Sequence, residues 1–88
     1  MISSLRGKIN RLWGNNCELE VNNVGYEIKL KVDSLKSKVG QEIKIPIQMI
    51  VSENDVSLYG FDDDEGKTIF NLLRSVGGVG PKSAAGIV

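Results

Sequence analysis

The residues best suited to binding chemistry lie in the run Gly78-Val79-Gly80-Pro81-Lys82. Glycines let a ligand approach the backbone closely, and Pro81 fits the first position of a helix, where its missing N–H costs nothing. Amides at a helix start can hold a phosphate group. The candidate binding groups are therefore the amides of Gly78, Val79 and Gly80, with Lys82 as a point charge. The same run, here called the glycine hairpin (residues 76–80 with the start of the following helix), also fits a plain helix end and tight turn.

A second candidate is the acidic turn, residues 52–55, with the sequence Ser52-Glu53-Asn54-Asp55. It separates two runs that alternate as strands do. A polar turn between strands is usually just solvated, because loops lie on the surface. By themselves, Glu53 and Asp55 therefore indicate only an exposed turn.

Carboxylates are densest in Asp62-Asp63-Asp64-Glu65. Adjacent carboxylates ahead of a helical pattern favour a helix start over a metal site, and Asp62 with Glu65 fits a capping box. The sequence has no histidine, and no nucleophile–base pair is visible. We therefore expect no catalysis, no metal and no cofactor.

Composition limits how the chain could bind nucleic acid. Lysine plus arginine and aspartate plus glutamate number 11 each, so the net charge is zero. A neutral chain of 88 residues does not coat DNA through bulk positive charge, so any DNA site must be local and geometric. Cys17 is the single cysteine, which excludes an internal disulfide and fits a reducing cytoplasm. No signal peptide or apolar run of membrane-spanning length is present, so we expect a soluble cytoplasmic protein.

Alternation with period two predicts strands from Met1 to about Phe61. In the first run Leu5, Gly7, Ile9 and Trp13 share one face, and a bend at Gly7 or a bulge would accommodate Leu12 on the other. Pro46 cannot donate to a ladder, so its strand is expected at an edge or a bulge. The other features are turns at 14–16 and 23–25, strands over 17–21, 26–32, 43–51 and 56–61, and a helical turn capped by Asp33 or Ser34. Five short strands with a helical turn after the third predict a closed barrel of the oligonucleotide/oligosaccharide-binding (OB) type.

The period changes at Asp62, which places a barrel domain over 1–62 and a helical segment over 63–88. Ile69, Leu72, Leu73 and Val76 recur at helical spacing and predict the buried face of an amphipathic helix. Gly77 or Gly78 would end this helix, and a second one would begin near Pro81. The second helix is too short to be stable alone, so the sequence is expected to be truncated.

Three further groups of residues leave alternatives open. Tyr59 and Phe61 could stack bases, as in barrels that bind single strands, or could pack where the barrel meets the helix. Arg6, Lys8 and Arg11 could contact phosphate or be solvated on an outer strand face. Cys17 shares the apolar face of its strand, so it is expected in the core.

Several runs together resemble the RuvA family of Holliday-junction branch-migration proteins. They occur in this order and spacing: Met1-Ile2, Leu5-Arg6-Gly7, Val24-Gly25-Tyr26-Glu27, Leu58-Tyr59-Gly60-Phe61 and Gly78-Val79-Gly80-Pro81-Lys82. The resemblance covers the whole chain and implies an OB-type barrel followed by the first of two helix-hairpin-helix motifs. The second motif and the C-terminal domain that engages the RuvB motor are absent from this sequence.

The resemblance also implies a function. A homotetramer, with an octamer as a larger assembly, would hold a four-way junction open during recombination, repair and the SOS response while RuvB hydrolyses ATP. The acidic turn would be a pin projecting into the centre of the junction. Glu53 matches the first acid of that pin, whereas Asn54 stands where a second acid is common and Asp55 follows one residue later. Two other readings remain: an OB-type module for single-stranded nucleic acid, and a barrel that serves only as an oligomerisation platform.

Overall fold

The computed structural model describes all 88 residues, Met1–Val88. Its elements are β1 (Ser4–Trp13), β2 (Asn16–Val21), β3 (Val24–Lys29), a 3-10 helix (Asp33–Lys38), β4 (Glu42–Val51), β5 (Val56–Gly60), α1 (Asp64–Ser75) and α2 (Pro81–Ile87). The strands form a closed barrel in the order β1-β2-β3-β5-β4. A short parallel pairing of β3 with β5 closes the barrel, and every other pairing is antiparallel. The predicted five-stranded OB-type barrel followed by helices is confirmed.

A bulge in β1 decides which side chains enter the barrel. The register against β2 shifts between Ile9 and Arg11, so Asn10 is an extra residue. The bulge reverses the alternation, and Leu12 packs against the core while Trp13 lies under the Arg11 guanidinium, 4.5 Å from the ring centroid. The bulge offered as one way to reconcile the two faces of this run is therefore present, and Trp13 does not share the face of Ile9.

Pro46 lies neither at a sheet edge nor at a bulge. It pairs with Ser4 at the end of the β1–β4 ladder, and the next residue, Ile47, pairs with Gly60 of β5. Its carbonyl accepts from the Phe61 N–H at 3.1 Å, so its missing donor falls just beyond the β4–β5 ladder. The missing N–H of Pro46 costs little, because the pairs of β4 with β1 end at Pro46 and those with β5 begin at Ile47.

Local turns also differ from the expected boundaries. The β2–β3 turn is Asn22–Asn23, one residue earlier than predicted, and both residues have positive φ (50° and 68°), as a tight two-residue hairpin requires. The 3-10 helix has Val32 as its N-cap with no side-chain bond, so neither Asp33 nor Ser34 caps it.

The apolar side chains form two separate clusters. The first fills the barrel and consists of Ile9, Cys17, Leu19, Ile28, Leu30, Leu35, Ile45 and Ile47. The second joins the helices to the barrel and consists of Tyr59, Phe61, Phe70 and Ala84. Phe70 is fully buried, with its ring centroid 5.2 Å from that of Tyr59 and 4.9 Å from that of Phe61. Phe70 is thus the largest side chain of the cluster that is fully buried between the helices and the barrel.

The start and the buried face of α1 both differ from prediction. Asp63, and not Asp62, is the N-cap, and its carboxylate accepts from the Gly66 N–H at 2.8 Å. Asp62 instead accepts from the Ser34 hydroxyl at 2.9 Å. Phe70, which was not on the predicted face, is the buried residue of the helix. Of the predicted face, only Leu73 packs on the second cluster, whereas Ile69, Leu72 and Val76 are exposed.

Candidate nucleic-acid interface

The glycine hairpin turns sharply between α1 and α2. α1 ends at Ser75, and Val76 is its C-cap, with its N–H donating to the Leu73 carbonyl. Gly78 has φ of +85°, which favours glycine because a Cβ is strained there. The Val79 N–H donates to the Val76 carbonyl at 3.2 Å and closes the turn. One of the three amides expected to bind phosphate is therefore already occupied within the turn.

Other amides take its place. The N–H groups of Gly77, Gly78, Gly80, Lys82 and Ser83 have no acceptor within the chain. They follow one another through the turn and into the start of α2, and all five residues are exposed. Such unpaired donors need an acceptor from solvent or from a ligand. The Lys82 and Ser83 amides were not predicted. They could have been found from the rule that the first N–H groups of a helix have no acceptor within it.

The sequence from Gly66 onwards is basic although the whole chain is neutral. From Gly66 to Val88 the sequence carries Lys67, Arg74 and Lys82 and no acidic residue. Arg74 is held by a 3.1 Å hydrogen bond to Asn71 and lies 5.5 Å from the Phe70 ring centroid. Lys82 is exposed and free of any ion pair. The segment thus combines three basic side chains with unpaired backbone donors, and Lys82 lines a cleft that also contains Asp62 and Asp63.

The glycine hairpin and the acidic turn lie toward the same end of the molecule. Lys67 of α1 donates to the carbonyl of Ser3, next to the Ser4–Pro46 pair, and Asn71 donates to Gln48 of β4 at 3.0 Å. Residue numbers along α1 and β4 therefore rise together, so both elements run in the same direction. The hairpin follows α1 and the acidic turn follows β4.

The acidic turn is closed by Ser52, whose N–H and hydroxyl both donate to the Asp55 carbonyl, at 2.8 and 3.2 Å. Glu53 and Asn54 are exposed at its tip. The Asp55 carboxylate accepts from the Ser57 hydroxyl at 2.7 Å. The two acids therefore differ: Glu53 has no side-chain partner, whereas Asp55 is held at the base of the turn.

Comparison with known proteins gives the family. The model of the RuvA N-terminal domain family matches residues 1–60, more than half of the chain. The chain belongs to the RuvA N-terminal domain family. It is similar over its whole length to proteins named Holliday junction branch migration complex subunit RuvA: 40% identical to that of Acinetobacter baumannii, 39% to that of Leifsonia xyli and 34% to that of Salinispora tropica.

This chain spans only part of the RuvA proteins it resembles. It covers 45%, 43% and 44% of the lengths of these three relatives, respectively. The family match ends at residue 60, yet the alignments with the relatives continue through the glycine hairpin. The predicted division into a barrel over 1–62 and a helical segment over 63–88 stays a prediction.

The two aromatic residues considered as a stacking platform are not available to bases in this RuvA-type domain. Tyr59 and Phe61 are 8% and 7% exposed and pack on Phe70. The packing alternative is the one that the structure supports. No flat aromatic surface of the kind that binds single strands is formed by this pair.

The basic residues of β1 do not approach the hairpin through any recorded contact. Arg6 and Lys8 are exposed on the outer face, without an ion pair. Arg11 pairs with Glu18 at 3.3 Å and stacks on Trp13. Arg11 is thus paired within the barrel but still 66% exposed, and phosphate contact by Arg6, Lys8 or Arg11 stays a prediction.

Two titratable groups are perturbed, and both belong to the barrel. The hydrogen bond from Asn10, with support from Arg11, holds the pKa of Glu18 below its ordinary value. Burial, with a smaller effect of Glu18, raises the pKa of the Cys17 thiol. No three metal-ligating side chains converge anywhere in the structure, and neither α-helix is long and apolar enough to cross a membrane. Nothing in these groups resembles an acid–base pair prepared for catalysis.

Proposed function

We propose that this chain binds four-way DNA junctions as the N-terminal part of a RuvA-type subunit. The observation that carries the proposal is the set of five unpaired amides in the glycine hairpin, placed toward the same end of the molecule as the acidic turn. Donors that hold a DNA arm and carboxylates that repel DNA would then act on one substrate. A four-way junction has both features such a surface needs: several duplex arms and a centre where strands separate.

The hairpin would contact the phosphate backbone and not the bases. Each charge-assisted hydrogen bond contributes about 1.5–3 kcal/mol, and the amides of Gly77, Gly78, Gly80, Lys82 and Ser83 offer several. Lys82 adds a charge that responds to salt. Contacts of this kind position DNA without reading its sequence. Binding would therefore depend on the shape of the junction.

The acidic turn would act by repulsion at the centre. Two unit charges about 10 Å apart in water interact by only ~0.4 kcal/mol, so one Glu53 does little. A homotetramer would gather several such turns around a narrow centre and make the effect useful. Octamer formation, action with the RuvB motor and a cytoplasmic location in recombination and repair belong to the same proposal. The relatives are named as subunits of a branch migration complex, which supports it.

The chain would contribute recognition and shape, and the partner motor would contribute ATP hydrolysis. Support comes from the names of the relatives, which are subunits of a branch migration complex. No observation favours the single-strand alternative, because Tyr59 and Phe61 are buried.

The test compares affinity for a four-way junction, a duplex and a single strand of equal length. The junction should bind most tightly, and its affinity should fall as salt rises. Lys82→Gln should flatten the plot of log K against log salt by about one unit if Lys82 contacts one phosphate. Lys38→Gln, an exposed lysine of the 3-10 helix, is the matched control and should leave the slope unchanged. Preference for the single strand would support the alternative module, and no binding to any DNA would leave only an oligomerisation platform.

A further inference from the structure

The barrel is closed most weakly next to the acidic turn. β3 and β5 pair through only Ile28–Leu58 and Lys29–Tyr59, whereas β2 and β3 pair along their whole length. The two strands run parallel, so the first residues of β5, which follow the acidic turn, have no partner in β3. The β4–β5 ladder holds the base of the turn through the Val51–Val56 pair, and β3 adds no backbone pair to it on the opposite side.

A chain of side chains crosses this seam. Lys29 of β3 donates from Nζ to the Ser57 hydroxyl of β5 at 3.3 Å, and that hydroxyl donates to the Asp55 carboxylate at 2.7 Å. Lys29 also lies 5.8 Å from the centroid of the Tyr59 ring. Lys29, Ser57 and Asp55 line a cleft at the seam together with Ile2, Glu27, Met49, Val56 and Leu58. Lys29 is thus anchored on one strand, and Asp55 is the last group on the other side.

The hydroxyl of Ser57 fixes the direction of the chain. It has one proton, which goes to Asp55, and its oxygen accepts from the lysine. The Asp55 carbonyl separately accepts both bonds from Ser52. Asp55 therefore joins the closure of the turn to the opposite strand of the barrel, while Glu53 at the tip has no such contact.

We propose that Asp55 is a positioning residue for the acidic turn: through Ser57 and Lys29 it fixes the angle at which Glu53 projects. The consequence of this positioning for DNA rests on the function proposed above, but the effect of Asp55 on the turn does not. The proposal separates the two acids by role. Glu53 acts through its charge, and Asp55 acts as a hydrogen-bond acceptor.

Four variants distinguish acceptor from charge. Asp55→Asn removes the charge but keeps an oxygen that can accept from Ser57, whereas Asp55→Ala removes both. Ser57→Ala breaks the chain in its middle and leaves the Asp55 charge in place. Glu53→Gln changes charge at the tip without touching the chain. Backbone order parameters of residues 52–56 report the rigidity of the turn, with about 0.85 for rigid and below ~0.6 for flexible backbone.

The expected pattern is specific. Asp55→Ala and Ser57→Ala should lower the order parameters of the turn toward the flexible range, Asp55→Asn should restore them, and Glu53→Gln should leave them unchanged. Strand separation, followed by a fluorescent base analogue at the crossover of a four-way junction, should drop in the two alanine variants and in Glu53→Gln but persist in Asp55→Asn. Equal loss of separation in Asp55→Asn and Asp55→Ala, with unchanged order parameters, would overturn the positioning role.

The two proposals fail in different ways. If the unaltered chain neither binds nor opens a junction, the proposed function fails, and the order parameters still decide the role of Asp55. If the unaltered chain opens a junction and Ser57→Ala has no effect on turn rigidity or separation, the positioning role fails while the junction function stands.

Discussion

Replacing Phe70 with alanine should separate the helices from the barrel without unfolding the barrel. Phe70 is fully buried between α1 and the rings of Tyr59 and Phe61, and it belongs to a cluster distinct from the barrel core. Loss of a fully buried phenylalanine costs about 3–5 kcal/mol. The total stability of an 88-residue chain is about 4–13 kcal/mol. The loss is large, and it falls on the few contacts that hold the helices.

The assay combines circular dichroism with nuclear magnetic resonance. At 25 °C, Phe70→Ala should lose helical signal at 222 nm while resonances of core residues such as Leu19 and Ile28 stay dispersed. Leu72→Ala is the matched control, because Leu72 lies on the same helix but is 64% exposed. Exposed substitutions of this kind change stability by at most about 0.5 kcal/mol.

Two results would refute the reasoning. Loss of barrel and helical signals at one common midpoint would show that the two clusters form a single cooperative unit. A change no larger than that of Leu72→Ala would show that other contacts hold the helices. In the second case the position of the glycine hairpin would not depend on the aromatic cluster.

A left-handed glycine, a lowered carboxyl pKa and a buried thiol each give a further prediction. Gly78 has a left-handed backbone, so Gly78→Ala should destabilise the chain by about 1–2 kcal/mol in thermal unfolding. Gly77 has negative φ and open space for a Cβ, so Gly77→Ala should be close to neutral in the same assay. The pKa of Glu18 is lowered chiefly by the hydrogen bond from Asn10, so its stabilising contribution is present above the ordinary glutamate pKa and is lost as pH falls through the folded value. Asn10→Ala removes that hydrogen bond, so the stability of this variant should depend less on pH in acid unfolding. A profile unchanged from that of the unaltered chain would contradict this. Cys17, buried and with a raised pKa, should resist alkylation until the chain unfolds, so rapid labelling of the native chain would show that the barrel opens.

The barrel was readable from the sequence where one buried face imposes strict alternation. Cys17 and Leu19 of β2 and Ile28 of β3 lie in the core as period two requires. At the end of β1 the rule failed, because Leu12 and Trp13 are both apolar and either could face inward. The bulge at Asn10 decides between them, and its cause lies in the pairing with β2. Pairing of this kind is not visible in the hydrophobic pattern of one strand.

The helix shows a second limit. Ile69, Leu72 and Val76 recur at helical spacing, but they form an exposed stripe, while Phe70 faces the barrel. A helix with two apolar stripes does not reveal which one meets the core. The signal for Phe70 was the pair of aromatic residues in the preceding strand, which makes a ring on the facing helix favourable.

The sequence predicts where the candidate site lies, but it does not predict which backbone amides are free to bind a ligand. The glycine hairpin and its lysine follow from residue types alone. Which amides are free depends on the bond from the Val79 N–H to the Val76 carbonyl, which is fixed only once the turn has formed. Likewise, the contact of Asp55 with Ser57 joins residues on either side of a strand start, and no periodicity reports it.

Mapping a four-way junction onto the amides of this chain by nuclear magnetic resonance tests the central claim most directly. Titration should produce its largest shifts at Gly77, Gly78, Gly80, Lys82 and Ser83, with affinity that weakens as salt rises and little response to a single strand. Shifts that leave these five amides unchanged and concentrate on the outer faces of β2 and β3 would contradict the claim that the glycine hairpin holds the DNA.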